Sequence, residues 1–228
     1  KIGVIGLGGA GGCAMGLGHA NAFATMNQKG REKVQVVAVC DLNKKFLENG
    51  RKSIEKIQGT APEGYTESEK LLSRDDIHGV VCAVPEHWHA RMGIEAILAG
   101  KDVYSEKPFT LNLADALDVH RVAQANKDII FQVGTQQVNY PKWHEARKLI
   151  KDGVIGVPTT SQTSYCRNSK SGEWHYTIDP SWKPGENVDW DRWCSPVGSM
   201  PWDPKVYYQW RRYRKVSTGI IEIGRAHV

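Results

Sequence analysis

An α/β fold built on a parallel sheet is predicted for the first 137 residues of this chain by two features. Short β-branched runs alternate there with segments whose apolar residues recur three and four positions apart, which is typical of βαβ units. In addition, a glycine-rich loop lies between the first run and the first such segment. Together these features predict a sheet domain whose first loop binds a phosphate group.

The predicted strands are spaced so that a helix or a loop connects each one to the next. They cover residues 2–5, 34–40, 79–83, 102–105 and 129–133. Helices are predicted directly after the glycine-rich loop and at residues 44–57, 90–98 and 114–125. Each of these helices carries an apolar stripe that can pack against the sheet.

The pattern changes after residue 137. A helix is predicted for residues 143–151 and a strand for residues 157–165, followed by irregular sequence rich in Pro and Trp. Six of the eight tryptophans lie in this later stretch: Trp174, Trp182, Trp190, Trp193, Trp202 and Trp210. We therefore predict a nucleotide-binding domain at residues 1–137 and an incomplete α/β (α+β) substrate or oligomerisation domain, without a core of its own, at residues 138–221.

Composition narrows the classes of protein. With 228 residues, 40% of them hydrophobic, the chain can bury a globular core, and no apolar run approaches the roughly 18 residues of a membrane span. The net charge of +5 is spread along the chain, which does not favour nucleic-acid binding. Five separated cysteines (Cys13, Cys40, Cys82, Cys166 and Cys194) predict reduced, mostly buried thiols and no metal site.

The glycine-rich loop contains Gly6, Gly8 and Gly11 in the spacing G-x-G-x-x-G. In a Rossmann-type domain these residues allow a tight turn, close approach of a pyrophosphate, and packing of the next helix on the strand. Further glycines follow in the same stretch: Gly9, Gly12, Gly16 and Gly18. A merely flexible loop is the alternative, but the position between strand and helix favours a dinucleotide site.

Asp41 directly follows the second predicted strand. A carboxylate at this point accepts hydrogen bonds from the adenosine ribose, which favours NAD over NADP. The distance of 30 residues from Gly11 exceeds the usual spacing of about 20, so residues 27–33 must lengthen the first crossover. Lys44 and Lys45 either neutralise a 2′-phosphate or belong to a solvated helix face.

Three further motifs carry a family resemblance. They are A-V-P-E-H-W-H at residues 83–89, Y-S-E-K-P at 104–108 and Q-V-G-T-Q-Q at 132–137. Together with the glycine loop they closely resemble the Gfo/Idh/MocA family, named for glucose–fructose oxidoreductase and inositol dehydrogenase. The segments V-D-W-D-R-W at 188–193 and W-R-R-Y at 210–213 extend the resemblance. It implies a Rossmann domain joined to an α/β domain whose open sheet covers the active site.

The resemblance also implies roles for single residues. Lys107 is the expected catalytic residue, reaching the nicotinamide ribose and easing loss of a proton from the substrate hydroxyl. The expected cofactor-binding residues are Gly6, Gly8, Gly11, Asp41, Pro85, His87, Trp88, Glu106, Lys107 and Gln136. A cis peptide bond is predicted at Pro108, and His89 is a weaker candidate than His87.

Each of these residues also has a plainer interpretation. Without the resemblance, Lys107 is interpreted as a surface charge. His87 is interpreted as a cap of the following helix. Gln136 and Gln137 either bind the nicotinamide or a sugar hydroxyl, or form an interdomain hydrogen bond. The tryptophans either stack on sugar rings or bury area between domains.

The last residues depart from the family pattern. In the family a G-D-x-G-x-H helix follows at this point, whereas His227 lies one residue late, and I-G-R-A-H-V resembles a translated sequencing adapter. We predict that residues 222–228 are a non-native tail and that the chain is C-terminally truncated. Such a chain is expected to bind NAD weakly and to catalyse little.

The sequence therefore predicts an NAD-dependent oxidoreductase that transfers hydride between nicotinamide and a hydroxyl-bearing carbon of a sugar or cyclitol. There are two alternatives: an NAD-dependent glycosidase of the same superfamily and a non-catalytic dinucleotide-binding protein. The sequence lacks the Gly-Gly-His-Gly-Gly run that is typical of those glycosidases, which argues against the first alternative. We expect no nucleic-acid or membrane partner, and a homo-oligomer for the full-length protein. The location is taken as cytoplasmic by default, with export open because the N-terminal residues are missing.

Overall fold

A computed structural model describes residues 1–8, 14–136, 138–162, 164 and 168–219. Within these residues six parallel strands form one sheet in the order β3-β2-β1-β4-β5-β6. The strands are β1 Ile2–Ile5, β2 Val36–Cys40, β3 Glu63–Tyr65, β4 Gly79–Cys82, β5 Asp102–Glu106 and β6 Phe131–Gly134. The strand order reverses between β1 and β4, which is the switch point of a Rossmann-type sheet, so the predicted fold class is confirmed.

The helices are α1 Met15–Gln28, α2 Lys44–Gln58, α3 Ser68–Leu72, α4 His89–Leu98, α5 Leu113–Ala125, α6 Pro141–Lys151, α7 Trp190–Cys194 and α8 Pro204–Tyr208. Five helices lie where the sequence predicted them (α1, α2, α4, α5 and α6), whereas α3, α7 and α8 were not predicted. Helix α2 begins after Asn43, whose side chain accepts hydrogen bonds from the backbone N–H groups of Lys45 and Phe46. It ends at Gly59, whose φ of 82° is left-handed and favours glycine.

Both faces of the sheet are buried, as a parallel sheet with helices on two sides requires. Neighbouring residues of β1 point to opposite faces: Val4 packs with Leu7 and Ile54, whereas Ile5 belongs to a cluster that includes Met92. Because side chains alternate along a strand, an apolar run without polar interruptions fills both cores.

The tryptophan-rich sequence packs against the nucleotide-binding part of the chain. Trp190 and Trp193 form one aromatic cluster against which Leu42 packs, and Trp182 forms another with Phe46 at its edge. Trp182, Trp190 and Trp193 are at most 5% exposed. Burial between the two parts of the chain therefore accounts for these three tryptophans.

One prediction for this part of the chain is wrong, and several others stay untested. The strand predicted for residues 157–165 is wrong for the described residues there, which are irregular and exposed, because no other described strand lies beside them as a partner. Residues 222–228, Gly11, Gln137, Cys13 and Cys166 lie outside the described residues. The boundary between domains at residue 137 stays a prediction.

Three findings concern the part of the chain that the structure describes. Cys40, Cys82 and Cys194 are free and buried. No three His, Cys, Asp or Glu side chains come together there as metal ligands. None of the helices formed by these residues is long and apolar enough to cross a membrane.

Candidate functional site

A cleft lies at the carboxyl ends of β1, β2 and β4, the edge at which open α/β sheets bind ligands. One wall comes from the loops of the sheet and includes Gly6, Gly8, Asp41, Val84, Pro85 and Trp88. The other comes from the tryptophan-rich sequence and includes Arg192, Trp193, Tyr207, Tyr208, Trp210 and Arg211. The structure thus brings five predicted site residues together along one wall of the cleft: Gly6, Gly8, Asp41, Pro85 and Trp88.

The glycine turn after β1 is shaped by close backbone contacts. Gly6 and Gly8 have φ values of 83° and 67°, which side chains rarely adopt. A Cβ atom on Gly6 would lie 2.7 Å from the carbonyl oxygen of Ala83. A Cβ on Gly16 would lie only 1.9 Å from the carbonyl oxygen of Gly6. Gly16 therefore lets the first turn of α1 approach the loop, a role that the sequence assigned to Gly11 alone.

The Asp41 carboxylate ties the glycine turn to the end of β2. Its Oδ2 atom accepts hydrogen bonds from the backbone N–H groups of Leu7, at 2.9 Å, and Gly8, at 3.0 Å. Oδ1 accepts one from Asn43, at 2.8 Å. Burial raises the pKa of Asp41, although these three donors act in the opposite direction.

This geometry fits the adenosine ribose of a dinucleotide. A carboxylate offers about four acceptor positions, and three are taken by backbone donors, which leaves one on Oδ1 for a hydroxyl group. The turn beside it exposes backbone without side chains, as a pyrophosphate requires. Lys45, in contrast, is exposed and pairs with Asp179 at 3.3 Å, and Lys44 is exposed as well.

The loop after β4 contributes to the cleft and also binds the tryptophan-rich sequence. Val84, Pro85 and Trp88 line the cleft, whereas His87 is not among the lining residues and is 3% exposed. The His87 Nε2 and Trp88 Nε1 atoms both donate to the carbonyl oxygen of Trp193, each at 2.9 Å. His87 thus donates a hydrogen bond to the tryptophan-rich sequence rather than acting as a helix cap, and its contact with a cofactor stays a prediction.

The turn at Lys107 follows β5, between the strands whose loops carry Pro85 and Gln136. The Lys107–Pro108 peptide bond is cis, as predicted. His89 is buried and its Nδ1 atom donates to the carbonyl oxygen of Pro108 at 2.7 Å. These contacts hold the turn from the side of α4.

Glu106 holds the same turn from the side of α1. Its Oε1 atom lies 2.7 Å from His19 Nε2, and its Oε2 atom accepts a hydrogen bond from the backbone N–H of Lys107 at 3.2 Å. Sequence reasoning missed His19, because nothing in the local pattern of α1 indicates a partner 87 residues away.

Acid should destabilise the fold through the two buried histidines. Burial lowers the pKa of both His87 and His89 from 6.5 to about 4, so the folded state resists their protonation. Their contribution to stability is complete above pH 6.5 and is lost as the pH falls toward 4. Between pH 7.5 and 5 we expect the free energy of unfolding to fall by about 2 kcal/mol for each histidine.

Urea unfolding at the two pH values measures this effect in the wild type and in the variants His87→Gln and His89→Asn. The new amide nitrogens replace Nε2 and Nδ1 as donors, so each hydrogen bond is kept while the titrating group is removed. In each variant the decrease in the free energy of unfolding between pH 7.5 and 5 should be smaller than in the wild type by about 2 kcal/mol. An unchanged decrease in both variants would show that other groups cause it.

A parallel sheet of this order, with a glycine turn bonded to an acidic residue at the end of β2, defines a dinucleotide-binding domain. The chain belongs to the Gfo/Idh/MocA family: the family model described as an oxidoreductase family with an NAD-binding Rossmann fold matches residues 1–135. The description of this family's Rossmann fold as NAD-binding agrees with the cofactor that the sequence predicts.

Relatives with different activities resemble the chain. It is 30% identical over 169 residues to 2,7-anhydro-N-acetylneuraminate hydratase of Mediterraneibacter gnavus, covering 74% of this chain and 41% of that protein. It is 27% identical over 188 residues to a glycosyl hydrolase family 109 protein of Shewanella baltica, covering 76% and 38%. The chain therefore spans about two-fifths of the length of these curated relatives.

A solved structure resembles it as well. The scyllo-inositol dehydrogenase of Lactobacillus casei with bound NAD(H) and scyllo-inositol superposes with a TM-score of 0.58 and 25% identity. The match covers 68% of this chain and 42% of the dehydrogenase.

Proposed function

We propose that this chain is the nucleotide-binding part of an NAD-dependent oxidoreductase that acts on a hydroxyl-bearing carbon of a sugar or cyclitol. The observation that carries the proposal is the Asp41 carboxylate, bonded to the backbone of the glycine turn at the edge of the cleft. The resemblance to a dehydrogenase with bound NAD(H) and scyllo-inositol supports the same reaction class.

The chain's residues divide the work of binding between them. The turn at Gly6 and Gly8 receives the pyrophosphate, with Gly11 assigned to the same role by the sequence motif alone, and Asp41 receives the adenosine ribose. Pro85 and Trp88 provide apolar contact along the cleft wall. Bound NAD supplies the hydride acceptor for oxidation of the substrate carbon.

Lys107 is the proposed catalytic residue. Its ammonium group stabilises the negative charge that develops on the substrate oxygen as the hydroxyl proton leaves. Glu106 fixes the turn by accepting a hydrogen bond from the Lys107 backbone N–H, and its contact with the cofactor remains part of the proposal. Contacts of His87 and Gln136 with the nicotinamide half belong to the same proposal.

The second candidate function is NAD-dependent elimination or glycoside cleavage without net oxidation. The hydratase and the glycosyl hydrolase among the relatives favour it. Both candidate functions use bound NAD, so cofactor binding does not separate them. A substrate panel does: a dehydrogenase accumulates reduced nicotinamide, which is followed by its absorbance, whereas a glycosidase releases the leaving group without such accumulation.

Calorimetric titration of this chain with NAD tests the cofactor site. We expect saturable heat with NAD, a weaker signal with NADP, and no signal for either with Asp41→Ala, since the variant removes the ribose acceptor and frees the glycine turn. If the folded wild-type chain binds neither dinucleotide, the proposed function is wrong.

The Lys107→Met variant tests the catalytic role in the complete protein that carries this chain. We expect turnover on a responsive sugar or cyclitol to fall about a hundredfold, because the charge that assists proton loss is gone. The dissociation constant for NAD should rise much less than turnover falls, because Lys107 is expected to make only one contact with the cofactor, at the nicotinamide ribose. Lys127→Met, at an exposed position remote from the sheet edge, is the matched control. Equal turnover in the two variants would remove Lys107 from the mechanism.

A further inference from the structure

The adenosine end of the cleft is built from two distant parts of the chain. The loop after Asp41 is hydrogen-bonded to residues 187–189. The Lys44 N–H donates to the backbone carbonyl oxygen of Asn187 at 3.0 Å, and the Asp189 N–H donates to the backbone carbonyl oxygen of Leu42 at 3.4 Å. Asn43 is fully buried between them and its side chain reaches the Tyr207 hydroxyl at 3.4 Å. Residues 187–189 are therefore fixed directly beside the ribose-binding carboxylate.

Helix α7, which follows this point, is attached to two further elements of the sheet domain. The carbonyl oxygen of Trp193 accepts hydrogen bonds from His87 and Trp88 in the loop after β4. The Arg192 guanidinium pairs with Glu69 at the start of α3 and lies 3.4 Å from Ser68 Oγ. Thus α7 spans the space between the loops after β2, β3 and β4.

The proposed NAD site would place the adenine ring in this space. A dinucleotide whose pyrophosphate lies at Gly6 and whose ribose bonds to Asp41 directs its adenine away from the glycine turn, past the end of β2. The cleft there is lined by Ser68, Arg192 and Trp193. Without α7 this part of the site would be open to water.

Arg192 has the chemistry that an adenine ring requires. Its guanidinium group is planar and stacks on aromatic faces, and the bonds to Glu69 and Ser68 fix its orientation before a ligand arrives. The Arg192 side chain is 23% exposed, so part of it remains accessible from the cleft. Trp193, in contrast, already stacks on Trp190 at an interplanar angle of 12°.

We propose that α7 is a roof over the adenine pocket and that the Arg192 guanidinium stacks on the adenine ring. This inference rests on the proposed function, since it assigns residues to the same NAD site. It makes the adenosine half of that site a product of both parts of the chain, and not of residues 1–137 alone.

Calorimetry with NAD, NADP and ADP-ribose on this chain tests the proposal. ADP-ribose contains the adenosine half without the nicotinamide ring. We expect Arg192→Met and Arg192→Lys each to weaken NAD and ADP-ribose binding about tenfold, in line with one base-stacking contact. Lysine keeps the charge but has no planar group, so it should not restore affinity. Arg31→Met, at an exposed position outside the cleft, is the control.

The variant Glu69→Gln separates stacking from anchoring. It removes the ion pair but leaves the guanidinium, so we expect a loss of at most threefold in affinity for both ligands, with thermal stability lowered as much as in Arg192→Met. Wild-type affinity in Arg192→Lys, or a loss confined to NADP, would overturn the proposal in favour of a charge contact. Absence of NAD and ADP-ribose binding in the folded wild type would instead refute the proposed function.

Discussion

Replacing Gly16 with alanine is expected to abolish NAD binding and to lower the free energy of unfolding by about 3 kcal/mol. The new Cβ atom would lie 1.9 Å from the Gly6 carbonyl oxygen, which is backbone and cannot rotate away. Gly6 itself is confined, since it approaches the backbone of Ala83. Helix α1 is held by the fully buried Ala20 and Ala24, so relief has to come from the glycine turn that receives the pyrophosphate.

Gly18→Ala is the matched control for this prediction, because it places the same methyl group two residues along α1. Gly18 is exposed, and a Cβ there meets no atom within 4 Å. We expect this variant to bind NAD normally. Its free energy of unfolding should rise by about 0.5–1 kcal/mol, since alanine favours the helix. Urea unfolding followed by tryptophan fluorescence, together with calorimetry, compares the two. Normal NAD affinity in Gly16→Ala would contradict the steric argument.

The order of the helices and strands was predictable because it follows from local periodicity. Strand β1 was predicted at its observed bounds, and β2 and β6 within two residues. Strand β3 was missed because three residues, one of them Gly64, carry too little pattern. The strand predicted for residues 157–165 fails for the opposite reason: its local propensity is high, but strands also need partners.

The candidate site divides in the same way. Gly6, Gly8, Asp41 and the Lys107 turn were predictable, because a glycine motif and a polar residue at a strand end are short-range patterns. The other wall of the cleft was not. The hydrogen bond between His87 and Trp193 joins residues 106 positions apart, and only the folded chain reveals it.

Glu86→Ala is expected to lower the free energy of unfolding by about 4 kcal/mol. Losses of this size are typical when one partner is removed and the buried polar groups that it bonded are left unpaired. The Glu86 side chain is fully buried and accepts hydrogen bonds from the Ser217 hydroxyl, at 2.7 Å, and from the Thr218 N–H, at 3.1 Å. The Thr218 hydroxyl donates to the same carboxylate. Alanine leaves all three donors without their acceptor and opens a cavity beside them.

Ser217→Ala provides the comparison, because it removes one donor and leaves the carboxylate with its other partners. We expect it to cost about 1 kcal/mol by urea unfolding, and the double variant to cost less than the sum of the two, since both changes break the same bond. The loop that contains Glu86 also carries Pro85 and Trp88, which line the cleft. Removal of the Glu86 carboxylate should therefore weaken NAD binding as well. If the free energy of unfolding of Glu86→Ala lies within about 1 kcal/mol of the wild-type value, this carboxylate does not join residues 217–219 to the cleft.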